Sequence, residues 1–154
     1  MQRRARSVLT AVTPVALGLM TFSSGALRGG ARGVVDHRLA RRALVNEYRR
    51  GRLARHQVCD AHPELVRAAR ELGAPTSVTC PICEEVKLVL VTYVFGPRLP
   101  AHGRCVTTAR ELAQLNRRAD DLAAYVVEVC PACSWHHLLR VFPAGGRRRT
   151  ARSS

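Results

Sequence analysis

Lysine is all but missing from this 154-residue chain: Lys87 is the only one among 25 basic residues, and 11 acidic residues leave a formal charge of +14. Such an arginine bias, beside abundant alanine, arises from a GC-rich coding sequence as readily as from selection for phosphate contacts. Basicity alone therefore does not assign the protein to nucleic acid. Nor is the charge spread evenly. Residues 1–33 carry +5, 34–73 carry +4, 74–143 carry +1 and 144–154 carry +4. A long apolar run is also lacking. Val8 to Phe22 is interrupted by Thr10, Thr13 and Pro14 and falls short of the ~20 apolar residues a membrane-spanning helix needs. A recognition helix with a cluster of polar base-reading side chains is absent too, which weakens a helix-turn-helix reading of the first half.

What is present in unusual arrangement is cysteine. Of six cysteines, four form two C-P-x-C turns, Cys80-Pro81-Ile82-Cys83 and Cys130-Pro131-Ala132-Cys133, separated by 46 residues. Two such turns place four thiolates where they close a tetrahedron around one Zn²⁺, leaving no position for water or substrate. Metal is favoured over a disulfide framework because the spacing is ligand spacing, and over thiol redox chemistry because neither turn precedes a convincing helix. Reduced thiols in turn point to the cytoplasm. Cys59 and Cys105 stand alone. Cys59 reads as a small buried apolar residue and His62 as a cap or turn residue.

The segments that read as structured run from 34 to 143, a domain small enough to gain from a metal staple. Residues 1–33 read as a leader, disordered or over-extended, since Val34 and Val35 can be encoded by an alternative start codon. A signal peptide ending near Ser24-Gly25-Ala26, or a membrane anchor, is the alternative, with export or anchoring through residues 1–26. Asp36 is placed to cap a helix over 37–50 that stops at Gly51. Leu39, Ala40, Ala43 and Leu44 mark its apolar side, and Arg38, Arg41, Arg42 and Arg49 gather on a basic contact face. A short helix near 53–59 and a second over 62–72 with Pro63 in its first turn follow. Ala74 to Ser77 reads as a linker, Val86 to Phe95 as a strand and Leu99 to Cys105 as a loop. Thr108-Ala109-Arg110-Glu111 is a capping box opening a helix over 109–121, with Leu112, Leu115, Ala119 and Leu122 as its stripe. Tyr125 to Val129 and Trp135 to Phe142 are further strands, and 144–154 is a basic disordered tail.

Strand, excursion, strand, with a cysteine turn at either end, is the plan of a zinc ribbon. Antiparallel pairing of the Val86 and Tyr125 strands would bring Cys83 and Cys130 to one end of the sheet. The predicted fold is α+β: a zinc-ribbon-like antiparallel sheet of about three strands with three or four packed helices. A catalytic zinc is disfavoured. Four sulfurs leave no vacancy, and the adjacent His136 and His137 would point to opposite faces of a strand. Trp135 is expected to pack over the metal turn.

Val34-Val35-Asp36, Val58-Cys59-Asp60-Ala61-His62-Pro63-Glu64-Leu65, the first cysteine turn, Tyr93-Val94-Phe95-Gly96, and Val127-Glu128-Val129-Cys130 with Cys133-Ser134-Trp135-His136-His137-Leu138 together carry a likeness. The chain resembles a family of small uncharacterised proteins from GC-rich bacteria, classed as a domain of unknown function. The likeness covers roughly Val34 to Phe142. It implies a folding unit beginning near Val34 and supplies no activity. Members commonly have glycine between the last cysteine and the tryptophan, where Ser134 stands here. The expectation is a non-enzymatic zinc protein, an adaptor for a protein or nucleic acid with no small-molecule substrate. A nucleic-acid-binding regulator acting through the first helix is the alternative.

Overall fold

The computed structural model describes residues 33–146. Nearly all of the leader expected over 1–33, the signal or anchor reading of 1–26 included, and the tail from Arg147 onward lie outside the described residues. Ten elements follow one another: β1 (Val35–Asp36), α1 (Arg38–Arg49), α2 (Arg55–Val58), α3 (Pro63–Leu72), β2 (Ala74–Thr79), β3 (Lys87–Phe95), β4 (Arg104–Val106), α4 (Ala109–Asn116), β5 (Asp121–Val129) and β6 (His136–Gly145). The fold is α+β, with four helices and a six-stranded sheet rather than three strands. All pairings are antiparallel, in the order β1-β6-β5-β3-β2, and β4 takes the half of the β3 edge that β2 leaves.

β5 is the centre of the sheet and is buried from Leu122 to Val129. Because strand side chains alternate, its two faces serve different helices. Val127 and Val129, with Val91 of β3, pack against Leu65 and Ala69 of α3. Leu122 and Ala124, with Val94, pack against Leu115 of α4. Each fully buried Val or Leu contributes roughly 1.5–3 kcal/mol. A third cluster joins Val45 of α1, Val58 of α2, Leu88 and Trp135 to Cys80 and Cys130. The cysteine end of the sheet is thus a core in its own right.

Several boundaries differ from expectation for identifiable reasons. Ala74 to Ser77 is not a linker: it opens β2, an edge strand where Pro75 needs no inward N–H. Thr76 Oγ1 fixes this strand by donating to the Leu88 carbonyl at 2.8 Å. Within the expected loop 99–105, Arg104 and Cys105 instead begin β4, pairing with Val94 and Tyr93. α4 stops at Asn116, and Leu122 belongs to β5. The turn between them is held by Asp120, whose carboxylate takes Arg98 at 2.6 Å and Arg118 at 2.8 Å. Arg118 also accepts from the Gly146 N–H at 2.9 Å, tying the turn to the end of β6. β6 therefore runs past Phe142 and Pro143 into the stretch expected to be tail, with Ala144 buried.

α1 begins one residue later than the sequence suggested. Asp36 does not occupy the N-cap, which is His37, but its carboxylate still accepts the Arg38 N–H at 2.9 Å. Gly51 ends the helical region in the left-handed conformation, at φ 75°. The buried face of α1 is also displaced. Leu39 is 82% exposed, and the seam runs instead through Arg41, Leu44, Val45 and Tyr48. At α3, Pro63 occupies the first turn and His62 Nδ1 accepts the Glu64 N–H at 3.2 Å. Gly73 follows this helix because a Cβ there would lie 2.4 Å from the Ala69 carbonyl and 2.8 Å from Val89.

Candidate metal centre

Each C-P-x-C turn closes a hairpin. The first joins β2 to β3 and the second joins β5 to β6. Since β3 and β5 are antiparallel neighbours with Val89 opposite Val129, both turns emerge at the same end of the sheet. The two turns are built alike. Cys80 donates its N–H to the Val86 carbonyl at 2.9 Å and Cys130 to that of Trp135 at 2.8 Å. Just after each turn the N–H of the fifth residue returns to the first cysteine's carbonyl: Glu84 to Cys80 at 3.1 Å and Ser134 to Cys130 at 3.2 Å. Both returning residues have left-handed backbones, φ 57° at Glu84 and 67° at Ser134. This conformation gives a physical reason for glycine at the Ser134 position.

The turns bring the four sulfurs of Cys80, Cys83, Cys130 and Cys133 within 4.8 Å of one another. Cys80 and Cys133 are separated by 3.6 Å and Cys83 and Cys130 by 3.7 Å. A tetrahedron with Zn–S bonds of about 2.3 Å has S···S edges of about 3.8 Å, so the donor set and its spacing fit a four-thiolate ion. Backbone amides already aim at the sulfurs. Ile82 N–H donates to Cys80 Sγ and Cys133 N–H to Cys130 Sγ, both at 3.4 Å. Such bonds delocalise thiolate charge and orient the ligands. In the metal-free chain, burial pushes the Cys80 thiol up, and Cys133 to about 12. At Cys83 burial is opposed by the amides of Glu85 and Val86 and by the neighbouring thiols, which bring it down to about 7.

Around this centre lie residues that spacing alone did not reveal. Cys59, expected to be a small buried apolar residue, is half-buried with its Sγ 3.5 Å from Cys133 Sγ. Glu128 is a 4% exposed carboxylate, the one charged residue in the buried stretch of β5 from Leu122 to Val129. It accepts from Trp135 Nε1 at 3.0 Å and pairs with Arg41 Nε. Trp135 is fully buried against Cys80 and Cys130, as its position beside the turn suggested. The sequence signal for Glu128 was a single acid inside Tyr125-Val126-Val127-Glu128-Val129; for Cys59 there was none, because its partner lies 74 residues away.

The two histidines do separate jobs. His136 Nε2 meets Asp60 Oδ1 at 3.1 Å, while His137 stacks on Trp135 with ring centroids 6.0 Å apart and burial lowers its pKa to about 4. Cys105 lies on β4 beside the α3 cluster. Of the four arginines expected on one basic face, Arg38, Arg42 and Arg49 are exposed, whereas Arg41 turns inward to Glu128. All four nevertheless line one groove of about 550 Å³. Val78, Pro81 of the first cysteine turn and Leu139 also line it.

A protein-family model described as a family of unknown function (DUF5318) matches residues 29–154. The chain is 45% identical over 114 residues to uncharacterized proteins of Mycobacterium bovis and Mycobacterium tuberculosis, covering 74% of this chain and 83% of theirs. No solved structure matches it. The chain belongs to the DUF5318 family.

Proposed function

We propose that this member of the DUF5318 family is a non-enzymatic adaptor, stapled by one structural Zn²⁺ on Cys80, Cys83, Cys130 and Cys133, that holds the phosphate backbone of a nucleic acid in the arginine groove of α1. The observation that carries the reading is the adjacency of the two features. Pro81, inside the first cysteine turn, lines the same groove as Arg38, Arg42 and Arg49. A metal held by that turn would therefore fix one of the residues that line the groove. Arg42 and Arg49 make no ion pair among the described residues, and Arg38 meets only the exposed Asp36. From Arg38 to Arg49 the helix rises about 16 Å, enough to follow several phosphates of one strand. Guanidinium forks suit phosphate oxygens, and contacts of this kind are independent of sequence.

A closed set of four sulfurs supports a structural role over a catalytic one, because a catalytic zinc keeps a position open. Thiolate ligands favour a reducing compartment, so we place the protein in the cytoplasm. No helix among the described residues is long and apolar enough to cross a membrane. Fluorescence anisotropy with single-stranded and duplex probes at ~50 mM salt tests the reading, because the electrostatic contribution is largest there. Binding should weaken steeply with added salt and fall with Arg42→Glu and Arg49→Glu, both away from the Glu128 pair. No binding at ~50 mM salt ends the nucleic-acid reading. Salt-insensitive capture of one defined protein would reassign the groove.

A further inference from the structure

A tetrahedral site needs four sulfurs, and this one has a fifth within reach. Cys59 Sγ lies 3.5 Å from Cys133 Sγ, as close as the pairs inside the ligand set. The approach is built into the fold by three contacts, each reaching the segment that carries Cys133. Ala61 donates its N–H to the Ser134 carbonyl at 3.0 Å. Asp60 Oδ1 meets His136 Nε2 at 3.1 Å. Arg70 of α3 donates to the Pro131 carbonyl at 2.8 and 3.1 Å. The two residues that follow Cys59, and helix α3 beyond them, are thus clamped to the chain on both sides of Cys133. Cys80 and Cys130 are buried, whereas Cys59 and Cys133 are both half-exposed, so the close pair is also an accessible one.

We infer that Cys59 is a resolving cysteine for Cys133: a peroxide oxidises the Cys133 sulfur, Cys59 captures it as a disulfide, and the metal site loses one of its four ligands. The inference rests on the metal reading above. Held by the metal, Cys133 is a thiolate and therefore a nucleophile. Its sulfur forms a bond to one peroxide oxygen as the O–O bond breaks. Two electrons pass to the peroxide, hydroxide leaves and Cys133 becomes a sulfenic acid. Cys59 sulfur then attacks Cys133 sulfur. The S–S bond forms, the S–O bond breaks, and the departing hydroxide leaves as water with the Cys59 thiol proton. The sulfurs must close from 3.5 Å to about 2.05 Å, a local movement of the two side chains. Three sulfurs remain for the ion, and the wall of the arginine groove loses its staple. Oxidation would thus be coupled to the binding face through Pro81.

The test begins with metal analysis of the reduced full-length protein. Absence of zinc at that stage overturns the metal reading before any oxidant is added. With zinc present, hydrogen peroxide is titrated against wild type and Cys59→Ser while zinc release is followed with a chromogenic chelator. Peptides are then mapped by mass spectrometry without reduction. The expected result is a Cys59–Cys133 cross-link in wild type, with zinc release several-fold faster than in Cys59→Ser, and reversal by a thiol reductant. Equal release from both proteins, or disulfides confined to Cys80, Cys83, Cys130 and Cys133, overturns the role of Cys59. Should Cys59→Ser lose zinc while reduced, Cys59→Ala, which removes the sulfur without adding a polar group, takes its place in the same comparison. Loss of zinc from both reduced variants makes Cys59 part of the metal scaffold and overturns the resolving role.

Discussion

Glu128 is held between the indole N–H of Trp135 and the Arg41 guanidinium, and at 4% exposure water does not replace either partner. Removing Arg41 leaves a buried carboxylate without its cation, a change that costs about 3–5 kcal/mol. Arg41→Ala should therefore lower the urea midpoint sharply, while Arg42→Ala, on the exposed side of the same helix, should change stability by no more than about 0.5 kcal/mol. Equal effects would place Arg41 outside the core. His137 adds a pH signature. Its folded pKa is lowered to about 4 by burial, below the ordinary value of 6.5, so between those values the unfolded chain binds more protons. Its contribution is complete above pH 6.5, is lost as pH falls toward about 4, and is flattened in His137→Phe. Stability curves in urea from pH 7 to pH 4 check this.

The paired turns are the element on which strain is visible. Glu84 and Ser134 both adopt left-handed backbones, which are costly for residues with a Cβ. Ser134→Gly removes that cost at one turn and should raise stability by about 1 kcal/mol at most, since glycine also gains unfolded-state freedom. A lower thermal midpoint would show that the Ser134 side chain contributes more than its backbone strain costs. At this scale the sequence was legible where local chemistry dominates. The Pro63 helix start, the Thr108–Glu111 capping box and the two cysteine turns all declare themselves within four residues. Short edge strands did not. β1, β2 and β4 have 2, 6 and 3 residues, and the first two are largely exposed, so none shows the apolar alternation that marks a strand. The buried seam of α1 was hidden for a different reason. It contains Arg41, whose inward turn is decided by Glu128, 87 residues away.

For the whole molecule the decisive quantity is the share of stability that the proposed zinc would supply. A structural zinc contributes on the order of 10 kcal/mol, comparable to the 5–15 kcal/mol that separates typical folded and unfolded domains. Chelation at neutral pH should therefore unfold the chain, seen as loss of the buried Trp135 fluorescence signature. Readdition of Zn²⁺ should restore it. Metal uptake should also weaken as pH falls, because the raised Cys80 and Cys133 thiols already hold protons at neutral pH, and more steeply below about pH 7, where Cys83 regains its proton too. The most direct measurement is zinc X-ray absorption on the reduced full-length protein with its metal content determined in parallel. One zinc per chain with four sulfurs at about 2.3 Å is the expected result. A chain that folds without stoichiometric metal, or a zinc bound by nitrogen or oxygen in place of sulfur, would contradict it.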